Sequence, residues 1–223
     1  MIKATYIDHM GSDLSVVNSA RVSFGKTSQL VFNDDPDDVG SLSDRDTKLI
    51  NYLASHKHLS PFGHAFASFH VKAPIFVARQ LVKHKFLRWN EVSRRYVDDE
   101  PEFYVPDVWR GRSADKKQGS EGEVKLGKLD DAIVTDSPYE ALCAYKSLLE
   151  AGVAPEQARM VLPQSTMTEW YWSGSLDAFA RMCQLRLPSD TQQETRVVAQ
   201  QISEKMSELF PVAWTALMEG ETE

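Results

Sequence analysis

The stretch AFASFHVKAPIFVARQ, residues 65–80, contains two different periodicities one after the other. Over 65–72, aromatic or polar residues alternate with apolar ones, which predicts a β-strand. Pro74 then suits the first turn of a helix, where the N–H that proline lacks would have no partner, and this helix is predicted to extend to Lys83 or His84. A strand that leads directly into a helix, each with an apolar face, is therefore expected at the centre of the fold.

Similar patterns in the flanking sequence predict the remaining elements. Strands are predicted over 2–9 and 166–172, and helices over 14–24, 44–57, 137–152, 155–162, 175–185 and 190–210. The helix from 137 would begin at a Ser-Pro-Tyr-Glu capping sequence and end at Gly152, and the last helix would begin with Asp190 and Gln193 as a capping pair. The polar stretches 25–43 and 107–136 predict loops, the second as a surface insertion. We therefore expect one α+β domain over residues 1–223.

Composition and charge are those of an ordinary soluble globular protein: 42% of the 223 residues are hydrophobic, 26% are charged, and the formal net charge is −7. The acidic balance disfavours nucleic acid and anionic membranes as partners, because both require broad positive fields. No run of about 18 apolar residues predicts a transmembrane helix, and the first residues lack the pattern of a secretory signal. Cys143 and Cys183 lack the spacing of a metal site, so we expect no metal and a reducing, cytoplasmic setting.

One segment of this acidic chain is basic: RQLVKHKFLRWNEVSRRY, residues 79–96, contains six Lys or Arg, one His and a single acid. In many proteins such a run is only a solvated surface. If the helix continues, however, Gln80, Lys83 and His84 fall at i, i+3 and i+4 and share one face. The apolar residues that precede them would then hold these side chains on a rigid element.

The second half of the segment has the groups that a nucleotide needs. Glu91, Ser93 and Arg95 alternate, so an extended backbone would direct all three side chains the same way. Arginine and serine can bind a phosphate, and glutamate can accept from a sugar hydroxyl or a ring N–H. The alternative is a groove for single-stranded nucleic acid, with Phe86 and Trp89 as stacking platforms. The four acids of VDDEPE, residues 97–102, would repel a continuing phosphate chain, which favours a discrete anionic ligand.

The basic segment resembles the signature of the flavin-dependent thymidylate synthases (the ThyX family), R-H-R-x-x-S-x-N-x-x-S-x-R. The matching positions are His84, Asn90, Ser93 and Arg95. Three positions differ in residue type: Lys83 and Lys85 replace arginine, and Arg88 replaces serine. Five further stretches are similar to family blocks and occur in family order: SARVSFGK (19–26), HLSPFGHAFASFHVKAPIFVARQ (58–80), EFYVP (102–106), AGVAPEQARMVLP (151–163) and LRLPSDTQQE (185–194). The resemblance covers about 14–210, apart from the loops 25–43 and 107–136.

The resemblance implies an α+β subunit of ThyX-like fold with a mixed sheet, assembled as a homotetramer whose sites lie at subunit interfaces. It implies synthesis of dTMP from dUMP, with methylenetetrahydrofolate as carbon donor and FAD, reduced by NADPH, as hydride source. Carried over position by position, the expected dUMP-binding residues are Gln80, Leu81, Val82, Lys83, Glu91, Val92, Ser93, Arg94, Arg95, Arg159 and Arg186. The expected FAD-binding residues are Ser60, Lys83, His84, Lys85, Glu91, Ser175, Leu176, Asp177 and Arg181, and His58 matches a histidine near flavin and folate.

Arg186 matches the family residue that stabilises negative charge at the N3–O4 edge of uracil while C5 becomes a nucleophile, so the resemblance implies a catalytic role for it. Ser93 is expected to be a pocket hydroxyl, because no activated Ser–His–acid arrangement lies near it in sequence. Cys143 and Cys183 lie among apolar residues at helical spacing and are expected to be small buried side chains. This agrees with a flavin route rather than one that uses a cysteine nucleophile.

The departures from the family pattern leave two other hypotheses open. Lysine at 83 and 85 lacks the planar two-pronged donor of arginine, Arg88 adds a bulky cation, and Gly63 stands where many members have glutamate. Because these changes cluster at the site, a related flavin- and folate-dependent enzyme that acts on dCMP, or forms a 5-hydroxymethyl nucleotide, is the second hypothesis. An inactive nucleotide-binding relative is the third.

Overall fold

An antiparallel four-stranded sheet forms the centre of the fold. The computed structural model describes residues 1–97, 99–114 and 119–219. Within them the strands are β1 (Lys3–Met10), β2 (Phe66–Pro74), β3 (Leu87–Glu91), β4 (Arg110–Arg112), β5 (Ser120–Glu123) and β6 (Met167–Ser175). The main sheet has the order β1-β2-β6-β3 with every neighbouring pair antiparallel, while β4 and β5 form a separate hairpin. The α+β class is as predicted, although a mixed sheet was expected.

Six of the eight described helices contribute side chains to the hydrophobic core that they share with this sheet, whereas the helices Lys128–Glu150 and Pro155–Ala158 contribute none. In the described residues the helices are α1 (Asp13–Arg21), α2 (Asp44–Ser55), α3 (Ile75–Leu81), α4 (Lys128–Glu150), α5 (Pro155–Ala158), α6 (Leu176–Arg186), α7 (Gln193–Leu209) and α8 (Pro211–Glu219). Short 3-10 turns lie at Val22–Phe24, Ser60–His64 and Arg159–Val161. None of the helices in these residues is long and apolar enough to cross a membrane.

Aromatic side chains join the sheet to α6. The ring of Phe179 on α6 meets Phe69 of β2 and Trp172 of β6 edge-on, with centroid distances of 5.3 and 5.7 Å. All three side chains are fully buried, and each such burial is worth roughly 1.5–3 kcal/mol. The opposite face of the sheet carries polar pairs, such as His70 Nε2 at 3.0 Å from Glu169 Oε2. The alternation along β2, which is visible in the sequence, therefore decides which face is buried.

The junction between β2 and α3 differs from the prediction. Pro74 is the last residue of β2 and directly precedes the helix, with an extended backbone (φ −68°, ψ 155°), rather than lying in its first turn. The N–H of Ile75 donates to the carbonyl of Thr166 (2.9 Å). The segment just before β6 therefore satisfies one of the N–H groups that have no partner within α3. The predicted extension of α3 to residue 84 was wrong, because the helix ends at Leu81. The chain then turns through Phe86, whose φ is +66°, and enters β3.

The start of α4 was also predicted wrongly. The helix begins at Lys128 rather than at residue 137, and Pro138 lies inside it. Asp130 and Asp131 in its first turn interact favourably with the positive end of the helix dipole. The stretch 107–136, predicted as a loop, therefore contains the β4–β5 hairpin and the first turns of α4. The left-handed Gly152 (φ +82°) follows the end of α4, as predicted.

Asp13 connects the two ends of the described chain. α7 begins at Gln193 rather than at residue 190, and α8, which was not predicted, follows it directly. The first N–H groups of α8, from Val212 and Ala213, donate to the two carboxylate oxygens of Asp13, each at 2.9 Å. Burial raises the pKa of Asp13, and the two backbone donors partly offset this effect. The strands β1, β2 and β6 and the helices α1, α2 and α6 lie close to their predicted bounds, and the predicted helix 155–162 is formed by α5 and the 3-10 turn that follows it. β3 was not predicted as a strand.

The substitution Asp13→Ala should destabilise the fold, because it leaves the N–H of the fully buried Ala213 without a partner. An unsatisfied buried donor costs roughly 1–3 kcal/mol, which for a chain of this size lowers the unfolding temperature by about 2–10 °C. Differential scanning calorimetry measures this. The matched control is Asp136→Ala at an exposed position of α4, and an equal shift in both variants would contradict the capping role.

Candidate active site

Four arginines line a cavity of about 400 Å³ at the end of the sheet where α3 and β3 meet β6. The polar residues of its lining are Arg79, Glu91, Ser93, Arg94, Arg95, Arg159, Thr166 and Thr168. The apolar residues are Ile75, Ala78, Val82, Val92, Leu162 and Met167. Its volume lies within the range of small-molecule sites, roughly 300–1,000 Å³. The structure thus brings together Val82, the expected residues at 91–95, and Arg159.

Among the described residues, no carboxylate forms an ion pair with the arginines of this cavity. Arg94 Nη1 donates to the backbone carbonyl of residue 99 (2.5 Å). Arg95 Nε donates to the hydroxyl of Ser93 (3.1 Å), and Arg159 Nε to the backbone carbonyl of residue 156 (3.3 Å). Guanidinium groups available in this way bind phosphate or carboxylate strongly, so the cavity suits an anionic ligand.

Glu91 is the single acid of the lining, and neutral donors hold it. Its Oε1 accepts from the hydroxyl of Thr168 (2.8 Å) and its Oε2 from the indole N–H of Trp89 (3.0 Å). Trp89 in turn stacks on the buried Trp170, with ring centroids 4.3 Å apart. A carboxylate has further acceptor positions on each oxygen. Glu91 can therefore accept from a ligand hydroxyl without neutralising an arginine of the cavity.

A turn, and not an extended strand, brings Ser93 and Arg95 beside Glu91. The strand β3 ends at Glu91, and the N–H of Tyr96 donates to the carbonyl of Ser93 (3.0 Å). The expectation that three alternating side chains would project from a strand was therefore wrong. The guanidinium of Arg95 lies over the Tyr96 ring, 4.9 Å from its centroid.

The other residues expected to bind dUMP lie outside this cavity. The amide oxygen of Gln80 accepts from the hydroxyl of Thr195 on α7. Leu81 is fully buried, so a ligand cannot reach it in this structure. Lys83 is exposed in the turn after α3. Gln80, Lys83 and His84 do not share a helical face as predicted, because α3 ends at Leu81 and the last two lie in the turn after it.

Arg186 and His84 form a second polar centre, away from the cavity lining. Arg186, the last residue of α6, donates from Nε to His84 Nε2 at 3.0 Å. Burial, and then the charge of Arg186, lower the pKa of His84 to about 4. Burial also lowers the pKa of Arg186. The imidazole is therefore neutral at pH 7, and a half-buried arginine is fixed against it.

A third group of expected residues lies at the other end of β6. Asp177 and Arg181 on α6 line a cavity of about 250 Å³ together with Lys57 and Leu59, the neighbour of Ser60. Other lining residues are Ala54, Ala180, Gln184 and Leu217.

The residues around this smaller cavity differ in how far a ligand can reach them. Ser175 donates from its hydroxyl to Asp177 Oδ1 (2.6 Å), whereas the Leu176 side chain is fully buried. His58 is exposed beside the stacked pair of Tyr52 and His56.

The two cysteines have different environments. Cys183 is fully buried, as expected, and burial raises the pKa of its thiol. Cys143 is exposed on α4, so the expectation that it is buried was wrong. Only one side of α4 packs against the molecule, through Leu142 and Tyr145.

Sequence reasoning missed half of the fourteen residues that line the larger cavity: Ile75, Ala78, Arg79, Leu162, Thr166, Met167 and Thr168. Arg79 and Thr168 are the two that bear most on its chemistry. Arg79 lies on α3, where Ile75, Ala78 and Val82 share its face at helical spacing, and this spacing could have identified it. Thr168 is on β6, and its hydroxyl holds Glu91. No local signal marks Thr168, because its partner is far away in the sequence.

The amino-acid sequence of this chain matches a known protein family and named members of it. Residues 5–212 match the sequence model of the family described as thymidylate synthase complementing protein. A flavin-dependent thymidylate synthase of Thermus thermophilus is 41% identical over 213 residues, which is 96% of this chain and 74% of that protein. The enzyme of the same description from Treponema denticola is 38% identical, covering 93% of this chain and 75% of that protein.

The fold is also similar to that of a solved nucleotide methylase. The UMP/dUMP methylase PolB from Streptomyces cacaoi, bound with 5-Br dUMP, superposes with a TM-score of 0.81 at 32% identity, covering 97% of this chain and 94% of that one. Its complex with 5-Br UMP gives a TM-score of 0.78 at 33% identity, covering 97% and 93%. The match over residues 5–212 and the identity to named members show that this chain belongs to the family of flavin-dependent thymidylate synthases.

Proposed function

We propose that this chain is a flavin-dependent thymidylate synthase that converts dUMP to dTMP, taking the carbon from methylenetetrahydrofolate and the hydride from FAD that NADPH has reduced. The observation that carries the proposal is the cavity in which four arginines without ion-pair partners among the described residues surround one glutamate held by neutral donors. Membership of the family supports the reaction type.

In the proposed complex, the cavity holds the phosphate and sugar of dUMP. Arg95, Arg159 and Ser93 bind the phosphate, because guanidinium and hydroxyl groups are its natural donors. Glu91 accepts from a sugar hydroxyl while Thr168 keeps it in place. The related PolB was solved with bound 5-Br dUMP, which supports a pyrimidine nucleotide as the ligand.

The residues present fit FAD. Its pyrophosphate requires cations, and Lys83, Lys85 and Arg88 are exposed and form no ion pair within the described residues. Arg181 and Lys57 line the smaller cavity. We assign the cofactor to these cations, together with Ser60, His84, Glu91 and the start of α6 at Ser175, Leu176 and Asp177. When bound, FAD supplies the hydride chemistry.

Arg186 is the residue to which we assign charge stabilisation. As C5 of uracil becomes a nucleophile, negative charge develops at the N3–O4 edge, and a fixed guanidinium there lowers the barrier. Partial burial of Arg186 strengthens this effect, because charges interact more strongly away from water. Glu91 and the arginines of the cavity bind and orient the nucleotide.

The positions of these groups support sites shared between subunits of a homotetramer. Met167 and Ser175 are the two ends of β6, and eight residues of extended strand span about 26 Å. The arginine cavity lies at the Met167 end and the Asp177 cavity at the Ser175 end. A complete site with nucleotide and flavin in contact is therefore assigned to two chains, each of which contributes one part. We place the enzyme in the cytoplasm, where its two free thiols would remain reduced.

Purified protein should be yellow, with about one flavin per subunit. Incubated with dUMP, methylenetetrahydrofolate and NADPH, it should form dTMP, which mass spectrometry identifies. Parallel incubations with dCMP and with UMP test the related substrates, and the product mass separates methyl from 5-hydroxymethyl. Colourless protein that binds no pyrimidine nucleotide would refute the proposal.

Mixing two inactive variants should restore activity if sites are shared. Arg159→Ala and Arg186→Ala each remove a group from a different part of the site, so each should lose most of its turnover. After the subunits of the two variants have exchanged at random, half of the subunit pairs contain one chain of each variant. In such a mixed pair, one of the two shared sites has both arginines and the other has neither. The mixture should therefore regain about a quarter of the wild-type rate. Activity is measured as dTMP formation.

The control for this experiment is Arg45→Ala, an exposed arginine of α2, which should keep near wild-type activity. No recovery in mixtures whose exchange is verified by native mass spectrometry would place the whole site in one chain.

Cys143→Ser should change the rate of dTMP formation by less than about twofold, because the exposed thiol on α4 lies outside both cavities. Cys183 is protonated at neutral pH, since burial raises its pKa, and it supplies no thiolate. Iodoacetamide alkylates exposed thiols, so wild-type protein treated with it should likewise keep its steady-state rate of dTMP formation. More than about a tenfold loss at normal flavin content would point to a cysteine nucleophile.

A further inference from the structure

We propose that His84 positions Arg186: its neutral imidazole accepts the Nε–H of the guanidinium and thereby directs the two terminal amino groups of Arg186 toward the pyrimidine. The role toward the pyrimidine rests on the proposed function, whereas the contact between the two side chains does not. This assigns His84 a task in the reaction in addition to its expected contact with the cofactor.

The chemistry of the two groups settles the direction of the hydrogen bond. Arginine has only donors, so the acceptor at 3.0 Å from Arg186 Nε is Nε2 of His84. A neutral imidazole that accepts at Nε2 carries its proton on Nδ1. Within the described residues, the Arg186 side chain makes no other hydrogen bond, so its terminal amino groups remain available.

The surroundings of His84 hold the imidazole in this orientation. Its backbone N–H donates to the carbonyl of Leu81 (3.1 Å), and its ring meets Trp172 edge-on at a centroid distance of 6.5 Å. Phe86 has a φ of +66°, a left-handed conformation that a bulky residue adopts rarely. This conformation turns the chain back toward β3, so that His84 lies against the end of α6 instead of pointing into solvent.

The charges near His84 favour the neutral ring. Burial is the larger cause that lowers its pKa to about 4, and the charge of Arg186 is the second. Lys83 and Lys85, its exposed neighbours on the same turn, are also cations, and Trp172 on β6 carries no charge. Protonation would remove the acceptor and place a second cation against Arg186. The contact is therefore present at neutral pH and lost as the pH falls through about 4.

Nitrogen-15 NMR of the histidine-labelled holoenzyme tests the contact without any turnover. His84 is assigned as the signal missing from His84→Gln, and its shifts should identify the tautomer protonated on Nδ1 at pH 7. In Arg186→Gln the pKa of His84 should rise, because the positive charge that lowers it is gone. A ring protonated on Nε2, or a pKa that does not respond to Arg186, would overturn the proposal.

Two substitutions separate positioning from cofactor binding. His84→Gln keeps an oxygen acceptor and should retain kcat within about fivefold. His84→Leu removes the acceptor and should lower kcat about 100-fold with less than about a threefold change in KM for dUMP, as expected for a displaced catalytic group. The kcat of the wild-type enzyme should fall as the pH decreases through about 4, where His84 becomes protonated. This decrease should be absent from His84→Gln, whose side chain does not titrate.

Flavin content, measured by absorbance, distinguishes the possible failures. Parallel loss of flavin and turnover in both variants would mean that His84 acts only as a cofactor contact, and this would overturn the positioning role. A wild-type enzyme that converts no pyrimidine nucleotide would refute the proposed function and with it the role toward the pyrimidine. In that case the NMR result still decides whether His84 fixes Arg186.

Discussion

The antiparallel pairing of β2 with β6 is the constraint on which the rest of the structure depends. Its register runs from Phe66 opposite Ser175 to Pro74 opposite Met167. Each strand leads directly into a helix, so α3 starts at one end of this pair and α6 at the other. The buried aromatic contacts between the sheet and α6 hold the arrangement together. The two cavities consequently lie about a strand length apart, and this separation is the basis of our proposal that a complete site draws on two chains.

Electrostatics explains how an acidic chain with a net charge of −7 forms a site for an anion. Charged side chains pair elsewhere: Arg110 contacts both carboxylate oxygens of the buried Glu194, and Arg21 pairs with the buried Asp46. Within the described residues, the arginines of the larger cavity are left without such partners. Glu91 is held by a hydroxyl and an indole N–H, so its charge is fixed in place without neutralising a guanidinium. Positive potential is thus left on this concave surface, where it favours an anionic ligand.

Several residues to which we assign roles in binding and catalysis lie in turns rather than in helices or strands. His84 lies in the turn between α3 and β3, and the turn after β3 carries Ser93 and Arg95. These turns are held by contacts across the molecule, such as that of His84 with Arg186. Replacement of arginine by lysine at 83 and 85 is tolerable in this setting, because both side chains are exposed and act as point charges. Arginine is present at positions 95, 159 and 186. There the proposed contacts with the phosphate and the pyrimidine require the planar, two-pronged donor of a guanidinium group.

The sequence by itself determined the α+β class, the strand β2, most helices and the family, because alternation, helical spacing and signature residues are local properties of the chain. Through resemblance it also predicted that residues 91–95 and Arg159 meet one ligand, and the structure places these residues in the lining of one cavity. Only the tertiary structure decided where α3 ends, that α4 continues through Pro138, that Cys143 is exposed, and that Thr168 and Trp89 hold Glu91. The pairing of His84 with Arg186 was equally invisible beforehand. The contacts of Thr168 with Glu91 and of His84 with Arg186 join side chains that are distant in sequence and meet only in the folded molecule, so no local pattern encodes them. The exposure of Cys143 depends on which side of α4 packs against the molecule, which its apolar neighbours in the sequence do not reveal.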